Sequence, residues 1–370
     1  MLSASVLISR ARQRQTYLPL AIFFIALSVS TASTVLDAPL FQTLPRSISH
    51  LMIGASFPAD ALLLPMFWFY VRAMTSEQAP IWSRRDIIHL LPALLGFFVL
   101  ILLFSASSAD RVALFDTGRD HSSIIQTTLF VLIIVLYIIW LCQWLFYALA
   151  ILKRLIAYRG RLKELFASTD HMELGWIGWL GVLILINWTW VASIFVLDVF
   201  TGINPIEEPW LSLLDLALVW TISVWGLRQV PGLAVEVAAT KAMEQVGPKY
   251  EKSALGDEQL AQLANKIETV MRDEQLYRDP NLSLSVLAKQ ISARPNYVSQ
   301  TLNTNLGANF FDYVNTWRVK EAQTLLTSSS DTVLDIAFAV GFNTRSSFYT
   351  AFKRYAGTTP SAWRKTQPNR

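Results

Sequence analysis

The sequence predicts an all-α chain: a polytopic transmembrane helix bundle of about six spans at 1–228, a joint at 229–256, and a soluble all-helical domain at 257–370 with two helix-turn-helix units. Three observations predict this. The 370 residues are 53% hydrophobic with a mean hydropathy of +0.39 and only 16% charged, against about 25% in soluble domains. Long uncharged runs stop near Leu227. Beyond them the pattern changes to short amphipathic helices broken by turn residues.

Crossing about 30 Å of hydrocarbon takes roughly 17 to 25 apolar residues as helix. Six stretches qualify: Tyr17 to Leu36, Leu51 to Ala73, Ile87 to Phe104, Ile124 to Leu152, Leu174 to Phe200, and Pro209 to Leu227. Lys and Arg are retained on the cytoplasmic side of short loops. One set of flanks holds eleven cations, from Arg10, Arg12 and Arg14 through Arg72, Arg84 and Arg85 to Lys153–Lys163, and the other holds only Arg46, Arg111 and Arg119. Both termini are therefore expected in the cytoplasm. Trp82, Trp176, Trp179, Trp210 and Trp225 fall near the boundaries, where indoles anchor. Arg10 to Arg14 followed by an apolar run and SVSTAS also reads as a signal peptide; about twenty uncharged residues favour a retained helix.

Ionisable residues within spans are costly, which makes them site candidates. Asp60, Asp198 and Asp215 fall toward the outer half, as does the broken stretch GASFPAD around Pro58. They define a possible-ligand reading, an acidic pocket for an unknown cationic or hydrogen-bonding signal. The plainer alternative has Asp60 starting a shorter helix and the other two capping or snorkelling. Catalysis finds no support: His50, His89, His121 and His171 lack HExxH spacing and GASFP is not a nucleophile elbow. The single cysteine, Cys142, excludes a disulfide framework and a Cys-based metal cluster. No cofactor is called for.

After Arg228, Pro231, Gly232, Gly247 and Pro248 punctuate the joint. Asp257 to Leu276 reads as a helix with Leu260, Leu263, Ile267, Val270 and Met271 on one face, either completing a local core or pairing two subunits as a homodimer. LSLSVLAKQISARPNYVSQTLN then forms the first helix-turn-helix, with Ser283 as N-cap and Pro295 in the first turn of its second helix. Val298 and Leu302 turn inward, so Asn296, Ser299, Gln300 and Asn303 share the outer face. DIAFAVGFNTRSSFYTAFK repeats the plan: Asp331 or Thr332 starts one helix and Gly341 ends it. The next helix buries Phe348 and Phe352 and presents Arg345, Ser346, Tyr349, Thr350 and Lys353.

NFFDYVNTWRVKEAQTLL between the units gives a helix of about 18 residues, roughly 27 Å long, comparable to the ~34 Å between successive major grooves on one face of a duplex. From Ser283 onward ten basic residues face four acidic ones, a balance that attracts phosphate. Asn296 and Gln300 can bond adenine and Arg345 guanine, while Lys353 and Arg354 suit phosphates. Arg318 of the intervening helix is counted with the DNA-facing residues. A competing reading makes the chain a membrane receptor or transporter-like protein whose C-terminal module binds protein instead.

From about Tyr250 to Arg364 the sequence resembles the DNA-binding domain of AraC/XylS-family transcription regulators, most closely in YVSQTLNTNLGANFFDYVNTWRVKEAQTLL and in the Gly341-Phe342 turn, Gly357 and Pro360. The upstream half, in FWFYVRAMT and IIHLLPALL, is similar to membrane-embedded members, which usually have seven spans; here the first is reduced to MLSASVLIS. Ser292 stands where the first turn usually has glycine. The resemblance implies base contacts from Asn296, Ser299, Gln300, Arg345, Ser346 and Tyr349. It also implies regulation at promoters, with double-stranded DNA, RNA polymerase and the lipid bilayer as partners, from the bacterial cytoplasmic membrane.

Overall fold

A computed structural model describes residues 15–37, 46–77, 83–117, 123–170 and 256–366, with single residues and short runs between 172 and 240. The chain divides into two compact units, 1–155 with 175–230, and 156–174 with 231–370. The sequence-based division at 228 does not anticipate that 156–174 clusters with the C-terminal residues.

In the first unit the described helices are α1 (Leu18–Asp37), α2 (Arg46–Met74), α3 (Leu91–Ser105, entered through a 3-10 segment at Arg84–Leu90), α4 (Ser108–Val112) and α5 (Ile124–Leu165), whose residues from 156 onward belong to the second unit. Among the described residues three helical stretches are long and apolar enough to cross a membrane, Ile48–Met74, Arg84–Ser105 and Ile124–Leu165, and Leu18–Ser33 is a shorter apolar helix. The fifth and sixth expected spans lie mostly outside the described residues.

Helices α1 and α2 meet through Phe23 and Phe67, with ring centroids 5.7 Å apart. Helix α3 approaches α2 so closely that a Cβ on Gly96 would lie 2.7 Å from the Pro58 nitrogen, a backbone proximity that only glycine allows. Helix α2 passes through Pro58 and Pro65 without ending. This corrects the reading of GASFPAD as a broken stretch and removes the alternative in which Asp60 starts a shorter helix, because the helix already begins at Arg46. At one end of the unit the Arg72 guanidinium donates to both oxygens of Asp86, at 2.7 and 2.9 Å. Arg154 donates to the Arg72 carbonyl and to Ser76 Oγ beside it, at 3.2 and 2.8 Å. The outer surfaces of α3 and α5 carry exposed Phe98, Ile101, Phe104, Leu145 and Phe146.

The second unit holds α6 (Asp257–Asp273), α7 (Leu284–Gln290), α8 (Pro295–Thr304), α9 (Phe310–Ser328), α10 (Val333–Ala339), α11 (Arg345–Ala356) and α12 (Pro360–Thr366). Two cores share α9. One joins Ile267 and Met271 of α6 to Leu287, Val298, Leu302, Phe310 and Val314; the other joins Val319, Ala322 and Leu326 to Ile336, Val340, Phe348 and Phe352. Helix α6 therefore completes the core of its own domain. It ends at Asp273, three residues short of Leu276, which starts the 3-10 turn Leu276–Arg278.

Candidate nucleic-acid interface

Both helix pairs close in the same way. After α7, Ser292 N–H donates to the Lys289 carbonyl and Ala293 N–H to that of Ala288; after α10, Gly341 donates to Phe338 and Phe342 to Ala337. This is the paired bonding of a Schellman end, which needs a left-handed residue between the helices. Gly341 supplies it with φ of 95°, and Ser292 adopts φ of 50° despite its side chain, at a cost of about 1 kcal/mol. Gly341 has a second reason to lack a Cβ, which would lie 2.7 Å from the carbonyl oxygens of both Tyr277 and Arg278.

The reading helices start where their sequences dictate. Pro295 opens α8 and is buried; its missing N–H is one that a helix start leaves unpaired anyway. Thr344 caps α11, its hydroxyl accepting from Ser347 N–H at 3.1 Å. At the start of α10, Thr332 rather than Asp331 is the cap, accepting from Asp335 N–H at 3.2 Å.

Burial of Val298, Thr301 and Leu302 turns the opposite side of α8 outward. Asn296 and Asn303 are exposed and Ser299 and Gln300 half-buried on that side. Helix α11 buries Phe348, Ala351 and Phe352 and leaves Arg345, Ser346, Thr350, Lys353 and Arg354 exposed, with Tyr349 half-buried. The Arg345 guanidinium sits 5.1 Å from the Tyr349 ring centroid, and contact with a ring face narrows the positions a guanidinium samples. Hydrogen bonding of the Tyr349 hydroxyl with Ser361, and then with Arg345, moves its pKa below the ordinary value. Arg354 is engaged within the domain, donating to Asp312 Oδ2 at 3.2 Å. The faces differ in charge: α8 carries no ionisable side chain except Tyr297, whereas α11 carries Arg345, Lys353 and Arg354.

One assignment is overturned. Arg318, grouped with the DNA-facing residues by its charge, is fully buried between the two cores. Its guanidinium donates to the carbonyls of Tyr277 at 2.7 Å, Asp279 at 2.8 Å and Ala167 at 3.3 Å, and to Ser168 Oγ at 2.9 Å. Phe342 lies beneath it, 5.5 Å from ring centroid to Cζ. Burial draws its pKa down to about 10, so it remains a cation at neutral pH. The signal for this was present in the sequence: Phe310, Val314, Arg318, Ala322 and Leu326 recur every four residues, and all five are buried. The four acceptors come from backbone and a hydroxyl, which no residue-type pattern announces.

A helix-turn-helix domain family matches residues 287–366. The chain carries an AraC-type helix-turn-helix domain at its C-terminus. An uncharacterized HTH-type transcriptional regulator of Staphylococcus aureus (strain COL) is 31% identical over 117 residues, 32% of this chain and 15% of the regulator. The melibiose operon regulatory protein of Escherichia coli (strain K12) is 27% identical over 92 residues, 25% of this chain and 30% of that protein. Among solved structures, the C-terminal domain of AraT, a response regulator from Geobacillus stearothermophilus, is 26% identical and covers 31% of this chain and 89% of its own, with a TM-score of 0.27. The chain thus spans a small part of the length of the curated relatives it matches. The AraC-type domain is of the DNA-binding, transcription-regulator kind, and the relatives are transcription regulators, not enzymes.

In the first unit Asp60 is half-buried on α2, on the side where Ser56 of its own helix and Ser30 of α1 influence its carboxyl. Asp198 and Asp215 lie outside the described residues.

Proposed function

We propose that this chain is a membrane-anchored, sequence-specific transcription regulator whose N-terminal helices sense a signal and bias promoter binding by the AraC-type domain. The observation that carries it is the pair of outward faces, α8 and α11, on one domain whose cores share α9, at 19 residues about 28 Å long. That length suits adjacent major grooves of one duplex. In this reading Asn296, Ser299, Gln300 and Asn303 read one groove, Arg345, Ser346, Tyr349 and Thr350 read the next, and Lys353 and Arg354 hold phosphates.

Membrane anchoring is supported by the three long apolar helical stretches and by the apolar side chains α3 and α5 leave exposed, a surface that suits hydrocarbon. The charge bias of the loops puts both termini in the bacterial cytoplasm, where promoter DNA and RNA polymerase are available. A signal acts through unequal affinity for two states of the chain. Asp60, a half-buried carboxyl on α2 with Ser30 of α1 in its surroundings, is the described residue this reading assigns to a polar ligand.

The test maps chromosomal sites occupied by the full-length protein in intact cells, alongside membrane fractionation. The reading expects discrete promoter sites bound by a protein that sediments with membranes. Recovery in the soluble fraction would remove the anchor, and occupancy without any shared sequence would remove the regulator.

A further inference from the structure

The turn following α5 belongs to the second unit and touches both halves of the AraC-type domain. Phe166 pairs with Ser283, the N-cap of α7, in an antiparallel bridge, and Ala167 N–H donates to the Leu282 carbonyl at 3.0 Å. The Ala167 carbonyl accepts from Asn315 Nδ2 at 3.2 Å and from Arg318, and Ser168 Oγ accepts from Arg318 as well. Asp170 Oδ2 accepts from Thr344 Oγ1 at 3.4 Å, at the cap of α11. One short stretch thereby reaches the first helix of one unit, the helix shared by both cores, and the start of the second reading helix.

Two further features make this more than a passing contact. Phe166 and Ala167 are buried, at 8% and 1% exposure. The partners are remote in sequence, 148 positions in the case of Asn315 and Ala167, so chain connectivity alone does not bring them together. The stretch supplies two of the four acceptors around the Arg318 guanidinium, which sits where the two cores meet on α9. A buried cation deprived of half its acceptors is strongly disfavoured, so the position of 166–170 and the relation between the two cores depend on each other.

We propose that residues 166–170 are the input segment through which the N-terminal half governs DNA binding, with Arg318 as the positioning residue that receives it. Seated, the segment braces both cores and fixes the spacing of α8 and α11; unseated, each reading helix keeps its own core but the pair loses its common spacing. The segment follows Leu165 directly, so a shift of α5 is delivered to it through the peptide chain. This rests on the regulator reading above.

The experiment uses full-length protein in lipid nanodiscs. Binding is measured to a duplex containing an occupied chromosomal site and to the same duplex with one half-site scrambled. Ala167→Pro removes the N–H bonded to Leu282. It is expected to weaken the intact site at least tenfold and the single half-site less than twofold; an equal change in both, or none, overturns the proposal. Because proline could disturb folding, a second variant combines Phe166→Cys and Ser283→Cys with Cys142→Ser. Residues facing each other across an antiparallel bridge are about 4.5 to 5.5 Å apart at Cα, within disulfide range. Oxidation of this variant is expected to restore the preference for the intact site and reduction to abolish it reversibly; identical behaviour of both forms overturns the proposal. If the unaltered protein binds neither duplex, the regulator reading itself fails, a result distinguishable from either outcome above.

Discussion

The Tyr355 hydroxyl donates to Asp312 Oδ1 at 2.6 Å, fastening the last turn of α11 to the first turn of α9. The same carboxylate receives Arg354 and Asn309 Nδ2 on its other oxygen. A hydrogen bond to a charged acceptor contributes about 1.5 to 3 kcal/mol, and partial exposure here favours the lower figure. Tyr355→Phe should destabilise α11 by about 1.5 kcal/mol, read as faster amide exchange across α11 and the start of α9. Unchanged exchange would show the bond to be inconsequential.

Arg318 and Arg345 should separate cleanly. Arg318→Ala empties a buried site and strands the carbonyls of Tyr277 and Asp279, each unsatisfied acceptor costing about 1 to 3 kcal/mol, for an expected loss of about 2 to 6 kcal/mol. Arg345→Ala, on an exposed position, should change stability by no more than about 0.5 kcal/mol while lowering discrimination at one base position by about 1 to 3 kcal/mol. Denaturant titration and binding to single-base variants of the site distinguish the two; comparable stability losses would contradict the burial described.

Gln300→Ala should relax preference within the half-site read by α8. Lys353→Ala, by contrast, should weaken all sequences alike and reduce the slope of log affinity against log salt by about 0.9. A salt slope unaltered by Lys353→Ala would place that ammonium away from phosphate.

The two left-handed turn positions predict opposite results. Ser292→Gly should stabilise the domain by up to about 1 kcal/mol by removing the strain of a side chain at positive φ. Gly341→Ala should destabilise it by about 2 kcal/mol or more, since its Cβ meets two carbonyl oxygens besides adopting that backbone. Thermal melts of the two variants shifting in the same direction would refute the assignment.

Asp60→Asn keeps the size and hydrogen-bonding capacity of the side chain but removes the charge. With membrane levels matched, it should blunt the promoter response to conditions that activate the unaltered protein. A full response ends the case for Asp60 as a signal contact.

The helix-turn-helix halves were legible because each records its burial in local spacing: Val298 with Leu302, Phe348 with Phe352, and glycine at 341 all act within one helix and its turn. The α9 expectation, 18 residues against 19, succeeded for the same reason. Arg318 was misread because residue type was weighed before position on the four-residue stripe. The contacts of 166–170 left no local trace, since their partners lie far along the chain and bond mainly through backbone. Continuity through Pro58 was hidden too, because a proline signals a break while the neighbouring helix that tolerates it is set by tertiary packing.

The uneven charge of the two outward helices has a kinetic consequence. Long-range attraction to a polyanion acts chiefly on α11 with Arg345, Lys353 and Arg354, while α8, whose nearest cation is its N-cap Arg294, gains mainly from hydrogen bonds formed after close approach. On the proposed function, the domain lands through its second helix pair and completes the complex with its first. Residence time would then be decided by the base pairs beneath α8, and the frequency of landing by the ionic strength felt at α11.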